Sequence, residues 1–467
     1  MVRVRFAPSP TGYLHIGGVR SALFNWLFAR NNGGVYILRI DDTDIERNKK
    51  EYEDDILNSF KWAGLEWDEF YKQSDRADIY EKYLKELLDS NKAFWCYHTI
   101  EELEAEQKEQ AAKKEAPRHV CHFKYNQRST PNHPAKARAT GQATNGQRQD
   151  RIIRLAVNEN STRILHFEDE IRGIVEWEER LIGDFSLAKD LKTPLYNFTT
   201  VIDDFELGIS HVIRGEEHIS NTPRQLLIYE AIDKPVPKFA HLPLILGTDK
   251  SKLSKRNSAV PIADYKKDYL PEALINFLGF LGYTYSKEII SKEEMAKEFD
   301  LKKVHRSGAV FNTDKLNWIN SQYIKSLSAN KLVSLSAFKN VPDKAIPLIT
   351  ERLEKLSDVQ NFDYFWKEPE YDRELLKWKK STLAKSVETL TEVKKVLEEF
   401  DFEKSKDELR KLLDDFSEKK GDRGLVYWPF RVALTGRDKS PDPVDVAFVL
   451  GKEKTLERVR KALLNFT

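Results

Sequence analysis

The chain has 467 residues, enough for three or more domains, and its 76 Lys and Arg against 75 Asp and Glu leave a net charge of only +1. This balance excludes recognition of a partner through a global basic or acidic field. Two cysteines in so long a chain exclude a disulfide framework and predict a reducing, cytoplasmic setting. The N-terminus lacks a signal-type segment, and the longest uncharged apolar run, 273–286, is shorter than the ~20 residues of a membrane span. We therefore expect no membrane association.

The N-terminal residues predict a βαβ unit. Residues 2–6 alternate apolar and charged side chains, which indicates a short strand. Two prolines and Gly12 then favour a tight, non-helical crossing. From Gly17 apolar residues recur with helical spacing until Gly33-Gly34, and a second strand is predicted at 35–40. This order is typical of a parallel sheet.

Gly17 and Gly18 open the predicted helix, where backbone N–H groups and the helix dipole favour a phosphate. Because they lack Cβ atoms, a nucleotide could lie against the backbone. His15, just before them, can donate a hydrogen bond to a phosphate oxygen. An ordinary glycine turn with a surface histidine is the structural alternative.

A second candidate for phosphate binding is the polar loop 247–258, which has no apolar period. Nucleotidyl transfer needs positive charge aimed at oxygens that gain charge in the transition state. Lys252 and Lys255 would supply that charge if the loop closed over a triphosphate. The alternative is a solvated basic turn.

The chain divides into four predicted regions: a doubly wound, parallel-sheet (Rossmann-type) α/β core at 1–94 and 190–250, an insertion at 95–189, a helical connector at 251–320, and an all-α region at 321–467. In the last region, apolar residues from Leu383 to Phe400 keep helical spacing behind Ser381, a candidate cap. A basic stretch from Arg118 to Arg154 with aromatic residues interleaved suits phosphates and unstacked bases, with a solvated loop as the alternative.

Several motifs together resemble the class I aminoacyl-tRNA synthetases. The stretch from Ala7 to Gly18 resembles their "HIGH" region, and Lys252-Leu-Ser-Lys-Arg256 resembles their "KMSKS" loop. Further matches are similar to the glutamyl-tRNA synthetases of bacterial type: Arg39–Asp44, Leu195–Phe198, Val201–Asp204, Val212–His218, Ser220–Pro223, Gly308–Phe311, Lys315–Trp318, Ala433–Gly436 and Leu450–Lys452. The resemblance spans almost the whole chain.

The resemblance implies glutamate–tRNA ligase activity. ATP, accompanied by Mg²⁺, would activate L-glutamate to glutamyl-adenylate, and the 3′-terminal adenosine of tRNA(Glu) would then accept the glutamyl group. The insertion would hold the tRNA acceptor end, the C-terminal helices would read the anticodon, and the chain would act as a monomer. Family members generally activate glutamate only with tRNA bound. Whether tRNA(Gln) is also charged stays open.

The same resemblance implies residue roles, because glutamate carries two carboxylates and one ammonium that call for arginines and an acid. Catalysis at the phosphates would use His15, Lys252 and Lys255. ATP would also contact Gly17, Gly18, Glu217, Leu244, Ile245 and Ser254. Glutamate would contact Arg5, Ala7, Ser9, Asp41, Tyr196 and Arg214, with Arg5 and Tyr196 on the side-chain carboxylate, Arg214 near the α-carboxylate, and Ser9 and Asp41 on the ammonium. Arg352 and Thr435 would contact the anticodon.

Asp41 departs from the family pattern, because glutamyl enzymes usually carry Glu there. Asp is similar to the glutaminyl enzymes, so a glutaminyl-tRNA synthetase is one alternative, although that family typically has β-barrels in the C-terminal third. A short paralogue that glutamylates a tRNA base would lack that third. A non-enzymatic tRNA-binding protein is another alternative, but it would need a dead ATP site.

The insertion carries two pairs of soft or borderline metal ligands, Cys96-Tyr-His98 and His119-Val-Cys121. Some relatives hold zinc in this region with Cys-x-Cys and Cys-x-His. These four residues could form a tetrahedral Zn²⁺ site, and His122 could replace His119. Two packed cysteines without metal are the alternative.

Overall fold

The computed structural model describes residues 1–44, 46–126, 151–251, 253 and 261–464. The chain forms two compact units, Met1–Lys266 with Pro271–Lys315, and Lys267–Leu270 with Leu316–Thr467. The finer division into core, insertion and connector stays a prediction.

The strands of the first unit are β1 (Arg3–Phe6), β2 (Val35–Ile40), β3 (Glu69–Lys72), β4 (Ala93–Cys96), β5 (Ile152–Leu155), β6 (Ile164–Asp169), β7 (Gly173–Glu178), β8 (Ser186–Asp190), β9 (Thr193–Pro194), β10 (His211–Gly215), β11 (Lys238–Leu242), β12 (Ile245–Leu246) and β13 (Ala309–Val310). Its helices are α1 (Ile16–Asn31), α2 (Lys50–Ala63), α3 (Ala77–Asp89), α4 (Ile100–Ala112), α5 (Phe123–Asn126), α6 (Tyr196–Glu206), α7 (Thr222–Ala231), α8 (Ile262–Tyr265), α9 (Pro271–Gly279) and α10 (Lys292–Glu298).

The predicted βαβ unit is present. Strand β1 pairs in parallel with β2, with Arg3 opposite Val35, and β2 pairs in parallel with β3. Helix α1 begins at Ile16, one residue before the predicted start, and buries Leu23 and Leu27 completely. Apolar side chains of α1 and β2 therefore form a dry core beneath the loop that carries the first motif.

A second sheet has the strand order β10-β11-β6-β7. Strand β10 pairs in parallel with β11, with Arg214 opposite His241. The β6–β7 hairpin belongs to the predicted insertion, yet it extends this sheet through Phe239 of β11 opposite Asp169 of β6. The sheet thus places Asp169, His241 and Arg214 on three neighbouring strands.

A third, antiparallel sheet with the order β4-β5-β8-β9 supports the rest of the insertion. Cys96, at the end of β4, lies opposite Ile152 of β5. The side chains of Phe94, Cys96 and Cys121 form a small buried cluster beside this sheet. The sheet therefore fixes the backbone from which one of the candidate metal-binding pairs projects.

The second unit is built from helices joined by turns and loops, and its described residues include no strand. Its helices are α11 (Thr313–Ser326, which begins in the first unit), α12 (Ala329–Ser334), α13 (Ile346–Thr350), α14 (Leu383–Glu399), α15 (Lys406–Lys420), α16 (Arg423–Thr435) and α17 (Pro443–Leu464). The predicted fold class, a parallel-sheet α/β core followed by an all-α region, is confirmed. No helix in the described part of the chain has the length and apolar character that crossing a bilayer requires.

The cap of α14 differs from the prediction. The hydroxyl of Thr382 accepts the backbone N–H of Lys385 at 3.2 Å, so Thr382 is the N-cap. Ser381 is not the cap, because its hydroxyl is buried without a hydrogen-bond partner among the described residues. Spacing alone could not separate two adjacent hydroxyl residues, since only the backbone conformation decides which of them faces the open N–H groups.

Substitution of Thr382 and Ser381 tests which of them caps α14. We expect Thr382→Ala to lower the free energy of unfolding by about 0.5–2 kcal/mol, because the α14 N-terminus loses its cap. Ser381→Ala should change it by less than about 0.5 kcal/mol, since no hydrogen bond is lost. Urea denaturation followed by tryptophan fluorescence reports on this unit, where the rings of Trp378 and Trp428 lie 5.6 Å apart. Equal effects of the two substitutions would contradict the cap assignment.

Candidate active site and metal centre

The first turn of α1 holds the candidate phosphate-binding groups. His15 is the extended N-cap residue of α1, and its exposed side chain lies against Gly17. A Cβ atom at Gly17 would lie 3.1 Å from Nδ1 of His15, so the glycine leaves the room that the imidazole occupies. An imidazole and the open first turn of a helix together form a site suited to phosphate oxygens.

A buried ion-pair network joins the ends of β1 and β2 to α6. Arg5 donates through Nε and Nη2 to Asp204 at 2.9 and 3.2 Å. Arg39 donates through Nη1 to the same carboxylate at 2.8 Å. Arg39 also forks onto Asp41 through Nε and Nη2 at 2.6 and 3.1 Å. All four side chains are at most 5 % exposed, so water does not screen these interactions.

The two carboxylates of this network respond differently to burial. Burial raises the pKa of Asp204, but the charges of Arg5 and Arg39 outweigh burial and hold this pKa below its ordinary value. At Asp41 burial outweighs the opposing charge of Arg39, and the pKa rises to about 6. Asp41 is therefore the carboxylate that a further positive group would stabilise most.

Arg214 lies on β10, in the second sheet, and its environment differs from that of Arg5 and Arg39. Its Nε donates to Nε2 of His241 at 3.1 Å, and its Nη2 donates to the hydroxyl of Thr222 at 2.8 Å. The guanidinium carbon is 5.5 Å from the centre of the Phe239 ring. Nη1 is buried and has no hydrogen-bond partner among the described residues. Burial lowers the pKa of Arg214, and the charge of Asp204, which is not within ion-pair distance, does not offset this effect.

The charges around this region do not balance. Three carboxylates pair with three guanidinium groups, through the bonds Asp204 to Arg5, Asp41 to Arg39 and Asp203 to Arg76. No described carboxylate lies within 4.0 Å of the Arg214 guanidinium nitrogens, so no direct ion pair offsets its positive charge. A buried cation with an unused donor is costly unless an anion binds beside it. The arrangement can therefore bind a carboxylate or a phosphate.

Neutral polar groups lie near Arg214. Tyr196 begins α6, and its hydroxyl is 3.2 Å from Nδ1 of His218. Burial, and then the charge of Arg214, lower the pKa of His218 to about 4, so this imidazole is neutral at physiological pH. Glu217 is exposed, and its carboxylate packs over Gly215, where any Cβ atom would overlap it.

The remaining predicted contacts are placed as follows. Ala7 is half-buried and Ser9 is exposed, both in the loop after β1. The backbone N–H of Leu244 donates to Glu216 at 3.0 Å, and Ile245 begins β12. Lys252, Ser254 and Lys255 lie outside the described residues, as does part of the basic stretch, so their roles stay predictions.

The two candidate anticodon residues occupy different environments. Arg352 is exposed, donates through Nη1 to the Leu348 carbonyl at 2.9 Å, and borders a cavity of about 520 Å³ together with Phe362 and Arg437. Thr435 is 2 % exposed, and its hydroxyl donates to the carbonyl of Arg431 at 2.8 Å. Arg352 is thus open to a ligand, whereas the Thr435 side chain serves the end of α16.

The candidate metal ligands converge as predicted. The ligand atoms of Cys96, His98, His119 and Cys121 lie within 4.8 Å of one another. Nδ1 of His98 is 3.4 Å from Sγ of Cys96 and 3.5 Å from Sγ of Cys121. Nε2 of His119 is 3.6 Å from Sγ of Cys96, while its Nδ1 is 2.6 Å from Glu106. A carboxylate behind a histidine is the usual second support of a metal ligand. His122 is not part of this group.

The comparisons with known proteins identify the family. Residues 1–318 match the family model for the class I tRNA synthetase (E and Q) catalytic domain, and residues 309–463 match an anticodon binding domain. The chain is 42 % identical to a glutamate–tRNA ligase of Aquifex aeolicus, with 99 % of this chain and 98 % of the relative covered. It is 38 % identical to that of Desulforamulus reducens, with 99 % of each covered. The chain belongs to the class I glutamate–tRNA ligases.

Solved structures agree. The crystal structure of a glutamate tRNA ligase from Elizabethkingia meningosepticum, in complex with its amino acid, superposes with a TM-score of 0.86, at 34 % identity and 100 % coverage of both chains. That from Elizabethkingia anophelis gives a TM-score of 0.84, at 34 % identity and 99 % coverage of both chains. The predicted family, fold, enzyme class and glutamate–tRNA ligase function are confirmed.

Sequence analysis missed three residues of this ligase's charged site. Asp204 was part of a matching motif, but its place between Arg5 and Arg39 was not predicted. Asp169 and His241 were not singled out, although each is a polar residue at or near the end of an otherwise β-forming segment. Polar residues at the ends of parallel strands are the signal that could have found them.

Asp204 should be the residue of this network that contributes most to stability. We expect Asp204→Asn to lower the unfolding free energy by about 3–5 kcal/mol at pH 7, because two buried guanidinium groups lose their shared carboxylate. Asp41→Asn should cost less, because the pKa of Asp41 is raised and its ionised form is already disfavoured. Denaturant unfolding of the three proteins measures both effects, and equal costs would contradict this assignment.

The pH dependence separates the two carboxylates further. The folded pKa of Asp204 is lowered, so its contribution is present above about pH 4 and is lost as the pH falls through the folded value. The folded pKa of Asp41 is raised to about 6, so its contribution is present below about pH 4 and is lost as the pH rises through 6. Unfolding curves at pH 5 and pH 7 should therefore show a smaller cost of Asp41→Asn at pH 7 than at pH 5.

Proposed function

We propose that this glutamate–tRNA ligase binds L-glutamate between the Arg5–Asp204–Arg39–Asp41 network and Arg214. The observation that carries this proposal is the uncompensated charge of Arg214, whose buried Nη1 lacks a partner among the described residues. A substrate carboxylate would supply both the missing negative charge and the missing acceptor. The α-carboxylate is assigned to Arg214, as the family resemblance implies.

The ends of the substrate would be distinguished by charge. Arg5 has two of its donors on Asp204, a carboxylate that it shares with Arg39, so Asp204 offsets only part of its charge. The remainder would attract a side-chain carboxylate, with the hydroxyl of Tyr196 as a second donor. Ser9 and Asp41 would accept the ammonium. Because the pKa of Asp41 is about 6, an arriving ammonium would favour its ionised form. Glutamine has no side-chain charge and would gain less from Arg5.

At the ATP end, His15 and the first turn of α1, with Gly17 and Gly18, would contact phosphate oxygens, and Glu217, Leu244 and Ile245 would contact the remainder of ATP. Lys252, Ser254 and Lys255 are assigned to the phosphates by motif resemblance, and Mg²⁺ would offset phosphate charge. The α-carboxylate of glutamate then attacks the α-phosphate, and pyrophosphate leaves. No protein nucleophile is required.

The 2′-hydroxyl of the terminal adenosine of tRNA(Glu) would attack the mixed anhydride in the second step. The insertion would hold the acceptor end, and the helical unit would read the anticodon through Arg352 and, less directly, Thr435. We also propose a monomer in the cytoplasm, where two unpaired cysteine thiols are compatible with reducing conditions.

Asp41 is the single observation that favours a glutaminyl enzyme. The helical second unit and the anticodon domain matched over 309–463 support the glutamyl assignment instead. A non-enzymatic tRNA-binding protein has no comparable support, because it would not need a buried, uncompensated arginine in the substrate region.

The amino acid specificity tests the proposal directly. With tRNA(Glu) present, the protein should use glutamate with a kcat/KM at least ~30-fold above that for glutamine, because a buried charge pair is lost with glutamine. Aminoacylation of purified tRNA(Glu) and tRNA(Gln), each with both amino acids, measures this. Arg214→Gln should collapse kcat/KM for glutamate while leaving KM for ATP near the wild-type value. Preference for glutamine, or an unaffected Arg214→Gln protein, would overturn the pocket assignment.

We further propose that Cys96, His98, His119 and Cys121 hold a structural Zn²⁺ ion. Two sulfurs and two imidazole nitrogens are the donor set that Zn²⁺ prefers, and all four residues are buried or half-buried. Glu106 fixes the His119 ring through Nδ1 and leaves Nε2 for the metal. The Cys121 N–H also donates to Asp184 at 2.8 Å, which connects the loop that carries His119 and Cys121 to the rest of the predicted insertion. The ion would join the end of β4 to this loop.

Metal content tests the zinc proposal. Protein made with zinc present should carry about one equivalent, and Cys96→Ser should lose it, because a hydroxyl is a far weaker ligand than a thiolate. His122→Ala is the matched control and should retain the metal, since His122 lies beside the group without belonging to it. Elemental analysis that finds no zinc in the wild-type protein would remove the hypothesis, and glutamate charging could survive that result.

A further inference from the structure

We infer that Asp169 and His241 are positioning residues, which hold Arg214 in the one orientation that presents Nη1 to the substrate carboxylate. This inference rests on the proposed role of Arg214 in glutamate binding. Neither residue would touch the substrate, and both would act through the guanidinium group.

The three side chains form a continuous buried chain across neighbouring strands. Nδ1 of His241 is 2.6 Å from Oδ2 of Asp169, and Nε2 of His241 is 3.1 Å from Nε of Arg214. Arg214 and His241 are direct partners in the β10–β11 register. Asp169, His241 and Arg214 are 2, 0 and 6 % exposed. Water therefore has almost no access to these three side chains and cannot readily replace the hydrogen bonds between them.

The hydrogen bonds allow only one protonation state of His241. Arg214 can only donate, so Nε2 of His241 must be an acceptor, and the ring proton must lie on Nδ1. That proton donates to Asp169, which is an acceptor when ionised. The hydroxyl of Thr222, 3.3 Å from Nε2, can donate to the same acceptor while it accepts from Nη2 of Arg214. A protonated His241 would place a donor and a second positive charge against Arg214.

Asp169 is itself firmly held. Its carboxylate accepts the backbone N–H groups of Ile171 and Arg172 at 3.0 and 2.8 Å, and that of His241 at 3.1 Å. The β6–β7 turn thus anchors the carboxylate, which in turn fixes the imidazole. The hairpin pairs with β11 at this point, with Phe239 opposite Asp169.

The consequence for Arg214 is geometric. Nε and Nη2 are both engaged, and Phe239 lies beside the guanidinium plane, with its ring within 10° of parallel to the His241 ring. The planar group then has no freedom to rotate, and Nη1 is the donor that remains for a ligand. An arginine that is held in place before binding loses little entropy when the substrate arrives. Since its supporting acceptor is a neutral imidazole rather than a carboxylate, its charge remains available to the substrate.

The test is aminoacylation of tRNA(Glu) by the full-length protein with three variants. His241→Asn retains a donor for Asp169 but loses the acceptor for Arg214, and it should raise KM for glutamate by about 10- to 100-fold. His241→Gln can place its amide oxygen near the Nε2 position and should recover most of that loss. KM for ATP should change little in either variant, because His241 is fully buried and is not among the residues proposed to contact ATP. Asp169→Asn should raise KM for glutamate in the same direction.

Matched controls separate positioning from a general structural role. His211→Asn alters a half-buried histidine at the start of β10, the strand that carries Arg214. This variant should leave KM for glutamate unchanged. If His241→Asn raises the KM values for ATP and glutamate together and His241→Gln gives no recovery, the positioning role is wrong. A double-mutant cycle with Arg214→Gln should show that the two effects are not additive, because His241 acts through Arg214. Additive effects would also overturn the inference.

The outcomes distinguish the inference from the proposed function. If Arg214→Gln does not affect KM for glutamate, the proposed function of Arg214 fails and the positioning role fails with it. If Arg214→Gln raises that KM while His241→Asn and Asp169→Asn do not, only the positioning role fails. If His241→Asn does not fold, Asp169→Asn and His241→Gln decide the question by the same KM comparison.

Discussion

The carboxylate of Asp204 is the point on which the charged centre of this ligase depends. It accepts hydrogen bonds from Arg5 of β1 and Arg39 of β2, residues 199 and 165 positions away in the chain. Two like charges on neighbouring strands would repel each other in a dry interior, and Asp204 on α6 offsets both of them. The same interaction therefore aligns two strands, docks a helix and keeps two guanidinium groups charged beside the site.

Within this centre, the distribution of acids matters more than their number. Three arginines have carboxylate partners, whereas Arg214 is supported by an imidazole and a hydroxyl. A fourth buried carboxylate would have made the protein more stable and the pocket less useful, since the substrate would compete with it. An uncompensated buried charge costs stability in the free protein, and binding of an anion relieves that cost. The same imbalance favours binding of a carboxylate beside Arg214.

Segments of the predicted insertion take part in two separate features of the first unit. One part, the β6–β7 hairpin, pairs with β11 and places Asp169 against His241, behind the proposed substrate region. Another part brings Cys96, His98, His119 and Cys121 together beside the antiparallel sheet. The boundaries of such an inserted segment cannot be drawn from composition alone, because its strands pair with strands of the surrounding domain. Local charge and periodicity do not record which edge a hairpin will extend.

The sequence by itself determined the βαβ unit, the helical C-terminal unit and the family, because hydrophobic periodicity and motif chemistry are local properties. The substrate-contacting residues that the motifs imply stay predictions. The sequence also pointed to Cys96, His98, His119 and Cys121, whose side chains lie close together in the structure. It could not choose Thr382 over Ser381 as a helix cap, nor show that Asp204 neutralises two arginines, nor find Asp169 and His241 behind Arg214. Only the tertiary structure decided these points, because each depends on groups that are distant in the chain or on a backbone angle. Hydrogen bonds and buried charges act over a few ångströms in space, whatever the separation in sequence.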